Sequence, residues 1–197
     1  MFDDKQLDAA EEAASRAINL VAEQGQEFLV GNIHVVLGEI SDSKGENEKA
    51  IHRFETALLI ASPFNWHEAL FWIHHSLAEL FREELEFVRA NTHNKQAKLH
   101  AANDAYKLGR AIQSQARVWY LQLKLEDARL EVLHAPETYE NLGAASDAKF
   151  CRSLLQMVEG AITARSTSFK VSFWKRYHIL RLSTATSQHE VYPSVPW

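Results

Sequence analysis

A pair of alanines seven residues apart returns four times along the chain, as Ala10/Ala17, Ala50/Ala57, Ala90/Ala97 and Ala128/Ala135, at intervals of 40, 40 and 38 residues. Seven residues is about two helical turns, so both alanines of a pair share one helix face, and a small side chain there lets a neighbouring helix approach closely. A fixed period of this length, set in helix-forming sequence, is the signature of stacked helical hairpins rather than of one closed globule. Such an array buries each unit against its neighbours and offers an extended surface for binding.

Composition removes several alternatives. An apolar fraction of 46% with 24% charged residues is that of a folded domain and excludes disorder over most of the 197 residues. Residues 1–14 are acidic and lack the apolar stretch of a secretory signal, and no apolar run approaches the roughly 18 residues of a membrane span. The expectation is a cytoplasmic protein without a membrane span. Cys151 is the one cysteine, so neither an internal disulfide nor a cysteine-based zinc site forms.

The best-preserved unit reads Leu37-Gly38, Gly45, Ala50, Ile51, Phe54, Ala57 and Leu58, closed by Pro63. It resembles the tetratricopeptide repeat, whose pattern is Leu-Gly-x2-Tyr-x3-Gly-x4-Ala-x3-Phe-x2-Ala followed by a proline, with Ser41 standing in the tyrosine place. Forty residues on, Leu77-Ala78, Phe81, Ala90 and Ala97 keep the phase, with Leu85 in the turn-glycine place and Asn94 in the aromatic one. A further 38 residues on stand Ala116, Trp119, Ala128 and Ala135, with Val132 in the aromatic place.

The resemblance implies an all-α solenoid of tetratricopeptide-like hairpins. The units span 27–62, 65–102 and 103–142, preceded over 4–23 by the second helix of a truncated unit and followed by a capping helix over 145–160, with Phe150, Leu154, Leu155 and Val158 on one face. The front helix has no partner of its own, so the chain is a piece of a longer array or covers that apolar face with a partner, a second copy included. Asn65 is placed to cap a helix beginning at Trp66, with Glu68 completing a capping box, and Gly25, Gly45 and Gly143 stand where helices end. Pro136, directly after Ala135, costs about 3 kcal/mol inside a helix and predicts a kink or break.

Beyond residue 160 the period stops and the balance of charge inverts. Residues 161–197 carry five Lys or Arg against the single acid Glu190, in a chain whose net charge is −5. Phe169-Lys-Val-Ser-Phe173 alternates like a strand, while Phe169, Phe173, Tyr177 and Leu180 also share a helical face, and the pattern leaves both open. The segment reads as a divergent, poorly ordered basic tail.

A closer resemblance covers Gly25 to Gly143. Gly25-Gln-Glu-Phe-Leu-Val30, Gly45-Glu-Asn-Glu-Lys-Ala50, His52-Arg-Phe-Glu-Thr-Ala57, Ala61-Ser-Pro-Phe-Asn-Trp-His67, Leu70-Phe-Trp-Ile-His74 and Leu125-Glu-Asp-Ala128 are similar to the repeat region of mushroom-type fungal tetratricopeptide proteins, many of which carry a NACHT-type nucleotide-binding domain before the repeats. The resemblance implies a sensor or scaffold, with the ATPase elsewhere. This chain has no Gly-x4-Gly-Lys-Ser/Thr phosphate loop.

In tetratricopeptide arrays the first helix of each hairpin lines the concave face. That implies a groove of Asn32, Val35, Glu39 and Asp42 from the first unit, Trp72, His75, Glu79 and Arg82 from the second, and Arg110, Gln113, Arg117 and Tyr120 from the third. The groove runs from acidic to basic. Trp72 and Tyr120 are its expected aromatic anchors, and Arg110 and Arg117 its charge-assisted contacts. The implied partner is a protein helix or extended peptide with its acidic end toward the third unit. Val35 and Glu39 occupy the places of the Lys and Asn clamp by which some relatives hold a chaperone's terminal carboxylate, which disfavours that ligand.

Other function classes find little support. His67, His74 and His75 lie near one another in sequence and His93 and His100 are seven apart, but His34 and His74 share one repeat place where a large aromatic is usual, so packing accounts for them. Nothing resembles the His-Glu-x2-His pair of zinc hydrolases, and no metal or cofactor is expected. Carboxylates such as Glu46 and Glu48 solvate helix faces, and no nucleophile stands beside a base, so the chain reads as no enzyme. The acidic body repels nucleic-acid phosphates. Two readings stay open: a protein-binding scaffold, and a truncated or mispredicted repeat remnant without its own ligand.

Overall fold

Helices form where the small-residue period and the turn residues place them, and among the described residues there is no strand. A computed structural model describes residues 4–185 apart from residue 102, with side chains described as far as residue 168. The order is α1 (Asp4–Ala22), α2 (Glu27–Ser43), α3 (Asn47–Ala61), a 3-10 turn (Ser62–Phe64), α4 (His67–Glu83), α5 (Phe87–His100), α6 (Ala105–Leu121), α7 (Leu125–Val132), α8 (Ala135–Asn141) and α9 (Ala145–Ala185). Helices pack in neighbouring pairs: α2 on α3, α4 on α5, α6 on α7 and α8, with α3 and α5 each also touching the first helix of the next pair. This is the α-solenoid arrangement.

One hydrogen-bonded turn joins the helices of each pair. At Gly45, Leu85 and Leu123 the backbone turns left-handed, with φ of 72°, 60° and 58°. The next residue's N–H then reaches back five residues, Glu46 to Ser41 (2.9 Å), Glu86 to Phe81 (2.8 Å) and Lys124 to Trp119 (2.9 Å). This is the Schellman closure that satisfies the last carbonyls of a helix. Gly25 and Gly143 repeat it at the ends of α1 and α8. Leucine in the second and third units adopts a conformation that costs an L-residue about 1–2 kcal/mol, so the geometry of the turn has outlasted the glycine that favours it.

The alanine pairs fill the seams. Ala50, Ala57, Ala90, Ala97 and Ala128 are fully buried and Ala135 nearly so. Ala10 is exposed and Ala17 half-buried, on a helix that packs on α2. Glu11 fastens α1 instead, accepting hydrogen bonds from Lys44 (2.7 Å) and Lys49 (2.5 Å), which hold its carboxyl down to about 2. Bulk is traded across the seams: a Cβ on Gly38 would stand 2.9 Å from the ring of Phe54, and one on Gly109 2.8 Å from Tyr139. In the second unit the large partner sits on the first helix, with Phe71 against Ala101. Close packing tolerates either arrangement provided the summed volume is kept.

Three expectations about helix ends meet the structure differently. Pro136 breaks the helix as expected: α7 stops at Val132, and α8 restarts at Ala135 with the proline in its first turn, where no N–H is required. Asn65 does not cap α4. It holds the left-handed position after the 3-10 turn (φ 52°), Trp66 takes the N-cap place with no side-chain cap, and Glu68 turns to Trp72 and Lys107 rather than to its own helix start. The final helix does not end at 160 but continues to Ala185, burying Ala148, Cys151, Leu154 and Val158 against α6–α8 and half-burying Ala161 and Ile162. Of the two alternatives for residues 169–173, the backbone is helical. Residues 186–197 of the tail lie outside the described residues.

Candidate functional site

The first helices of the pairs meet in two unlike ways. Between α2 and α4 lies a cleft of about 700 Å³, lined by Phe28, Asn32, Val35 and Glu39 from α2 and by Trp66, His67, Glu68, Ala69 and Trp72 from the start of α4. The spacing of Phe28, Asn32, Val35 and Glu39 puts all four on one face of α2. Phe28 meets Trp66 edge-on with ring centroids 4.5 Å apart, and Phe64 of the 3-10 turn stacks on the same indole at 4.6 Å. The Trp72 indole N–H donates to Glu68 (3.0 Å), whose other oxygen accepts from Lys107 of α6. These bonds hold the Glu68 carboxyl below its usual range.

Between α4 and α6 the facing side chains are joined by ion pairs, Arg117 with Glu79 and Lys107 with Glu68. Glu79 accepts hydrogen bonds from Arg117 (2.5 Å) and Arg82 (3.1 Å), and Arg82 also reaches Glu83 (2.9 Å). Burial alone would raise the Glu79 carboxyl, but Arg117, the Ser114 hydroxyl and Arg82 outweigh it and hold it low. Arg110 lies 3.4 Å from the His75 ring and 3.7 Å from Asp147 of α9. His75 is buried and stacked on Phe71, and its pKa is pushed down by that burial. Gln113 donates to the Cys151 sulfur (3.7 Å).

The residues expected to line one groove therefore separate. Asn32, Val35, Glu39 and Trp72 share the cleft, and Asp42 continues the same face of α2 one turn beyond Glu39. His75, Arg82 and Gln113 are not presented to a partner, since each is less than a tenth exposed within helix contacts. Arg110 and Arg117, expected as free cations at a basic end, are paired with Asp147 and Glu79. Tyr120 is half-buried against the α6–α9 core rather than free as an anchor. Phe28 and Trp66, which complete the aromatic wall, were not among the expected residues. Phe28 lies one turn before Asn32 on the same stripe, a periodicity visible in the sequence.

The histidines form a chain of contacts across α4 and α5. His67 and His100 approach through their Nδ1 atoms at 3.1 Å, His74 and His93 at 2.9 Å, and His74 stacks on His100 with centroids 5.6 Å apart. Each 3 Å contact requires one ring nitrogen to donate and the other to accept, so the accepting nitrogen of each pair carries no proton. Burial, aided by the neighbouring rings, pulls His74 down to about 4, and burial with Arg89 does the same to His93. Among the described residues no three His, Cys, Asp or Glu side chains converge as a metal site, and no helix is long and apolar enough to cross a membrane.

No protein-family model matches the chain, and no curated protein matches it by sequence. Its fold is similar to that of BtubC (BKLC) from P. vanneervenii: the superposition covers 98% of this chain and 79% of that one, with a TM-score of 0.74 and 18% sequence identity. At that identity the likeness shows the fold alone, over nearly the whole chain.

Proposed function

We propose that this chain is a tetratricopeptide-like scaffold, without catalytic activity of its own, that holds a protein helix or extended peptide between its first helices. The observation that carries the reading is the α2–α4 cleft, an aromatic recess built from residues at equivalent faces of successive units. A recess of about 700 Å³ falls within the roughly 300–1,000 Å³ of ordinary ligand pockets. Its rings are rigid and half-exposed, the type of side chain that dominates binding energy when a partner covers it. The repeated turns and alanine seams support the tetratricopeptide assignment, and the resemblance to fungal repeat proteins suggests an intracellular sensor acting with a nucleotide-binding switch domain.

Affinity capture from cells of the source organism tests this, with the wild type beside a Phe28→Ala/Trp72→Ala double variant, both shown by circular dichroism to fold. Arg117 is left untouched because its loss would break the Glu79 pair. A partner held by the wild type and released by the variant supports the scaffold. Equal capture moves the contact to another face. Capture of nothing favours the remnant.

A further inference from the structure

The cleft, and the face of α2 that continues beyond it, carry carboxylates that no cation pairs with among the described residues. Glu39 and Asp42 lie three residues apart on one face of α2, and among the described residues no Lys, Arg or His nitrogen comes within ion-pair distance of either. Other carboxylates face them instead. Burial and Asp42 push the Glu39 carboxyl up, while burial and the charges of Glu83 and Glu79 push up that of Asp42. The remaining cleft acid, Glu68, is already neutralised by Lys107. The cations nearest in the array are engaged elsewhere: Lys44 and Lys49 tie down α1, Arg82 pairs with Glu79 and Glu83 of its own helix, and Arg117 crosses the next junction to Glu79.

Aromatic faces and unpaired carboxylates attract the same kind of group. The negative face of an indole draws a guanidinium or ammonium, more strongly once water is excluded, while the aliphatic stem of Arg or Lys packs on the apolar wall. Resting on the scaffold reading above, we infer that the α2–α4 cleft receives a basic segment of a protein partner, an Arg or Lys side chain seated among Phe28, Trp66 and Trp72 with its charge against Glu39, and a further basic residue of the segment reaching Asp42. The acidic front of the array thus selects a partner's cationic stretch. Arg110 and Arg117, closed in internal pairs, do not select the acidic one.

A random dodecapeptide library displayed on phage, panned on the full chain at 50 mM NaCl, tests this directly. The inference expects enriched peptides with Arg or Lys beside an apolar residue. As synthetic peptides these should bind the wild type at least tenfold more tightly than Glu39→Lys, and severalfold less tightly at 300 mM NaCl. Glu39 is exposed, so its variants should retain the wild-type circular dichroism, and Glu39→Gln should give an intermediate loss. Enriched peptides without basic residues, or binding unchanged in Glu39→Lys, overturn the inference while leaving the cleft as a binding site if Phe28→Ala/Trp72→Ala still abolishes them. Peptides indifferent to that double variant, or no enrichment, overturn the inference and the scaffold reading together.

Discussion

The α2–α4 and α4–α6 junctions are built from equivalent helices, yet one is an open aromatic cleft with unpaired carboxylates and the other a closed seam of ion pairs. Part of the difference lies in the connections. The link before α4 contains the 3-10 turn and the left-handed Asn65, which present Phe64 and Trp66 to Phe28, whereas the link before α6 is a short turn capped by the Asp104 carboxylate on the Lys107 N–H (3.0 Å). The rest lies in charge. Glu79 sits opposite Arg117, and the pair draws α4 and α6 together, while Glu39 and Asp42 have no such partner among the described residues. A repeat fold can therefore spend one junction on cohesion and keep the next for recognition.

The sharpest way to break this contrast is to remove one carboxylate from each junction. Glu79→Ala leaves Arg82 and Arg117 partly buried without their shared partner and should destabilise the chain by about 2–4 kcal/mol in urea denaturation. Glu39→Gln, which relieves repulsion, should leave stability within about 0.5 kcal/mol or raise it slightly. Equal costs would erase the distinction.

Acid should act next, through the α4–α5 histidines that back the closed junction. His74 and His93 are held down to about 4, well below the roughly 6.5 of an unfolded chain. The folded form therefore binds fewer protons, so stability is complete above about pH 6.5 and falls as pH drops toward 4. Allowing for solvent screening, the loss between pH 7.5 and 5.5 should be about 1–2 kcal/mol, read as a falling thermal midpoint. The raised carboxyls of Glu39 and Asp42 work in the opposite sense, only at lower pH. His93→Gln should flatten the profile.

Smaller effects should come from repairing the second unit. Asn94 is fully buried with neither side-chain polar atom hydrogen-bonded, so Asn94→Leu should stabilise the chain by about 1–2 kcal/mol, measured by urea denaturation. Leu85→Gly releases an exposed left-handed residue, and after the entropy that glycine costs, it should add about 0.5–1 kcal/mol by the same measurement. Neither repair should alter the cleft. A changed affinity for a cleft-bound peptide would show that the departures of the second unit serve binding.

What the sequence reveals follows the range of each interaction. The alanine seams, the turns at Gly25, Gly45 and Gly143 and the break at Pro136 depend on one or two residues and a period, and all were legible. The left-handed Asn65 was not, because its conformation is set by the 3-10 turn before it rather than by its capping ability. The extent of α9 was hidden because its residues beyond 160 keep helical backbone without the repeat's period. At the site, register carried over from the tetratricopeptide resemblance placed Asn32, Val35, Glu39 and Trp72 on equivalent faces. It was blind to distance between helices, and so could not show that Arg117 reaches Glu79 and that His75, Arg82 and Gln113 are enclosed.

The most direct measurement of the central claim is hydrogen–deuterium exchange of the full chain, alone and with the captured or selected segment bound. Added protection centred on Phe28–Glu39 of α2 and Trp66–Trp72 of α4, with α6 and α7 unchanged, is the expected result. Protection confined to α1 or to the α6–α9 end, with the aromatic cleft exchanging as freely as before, would contradict the account.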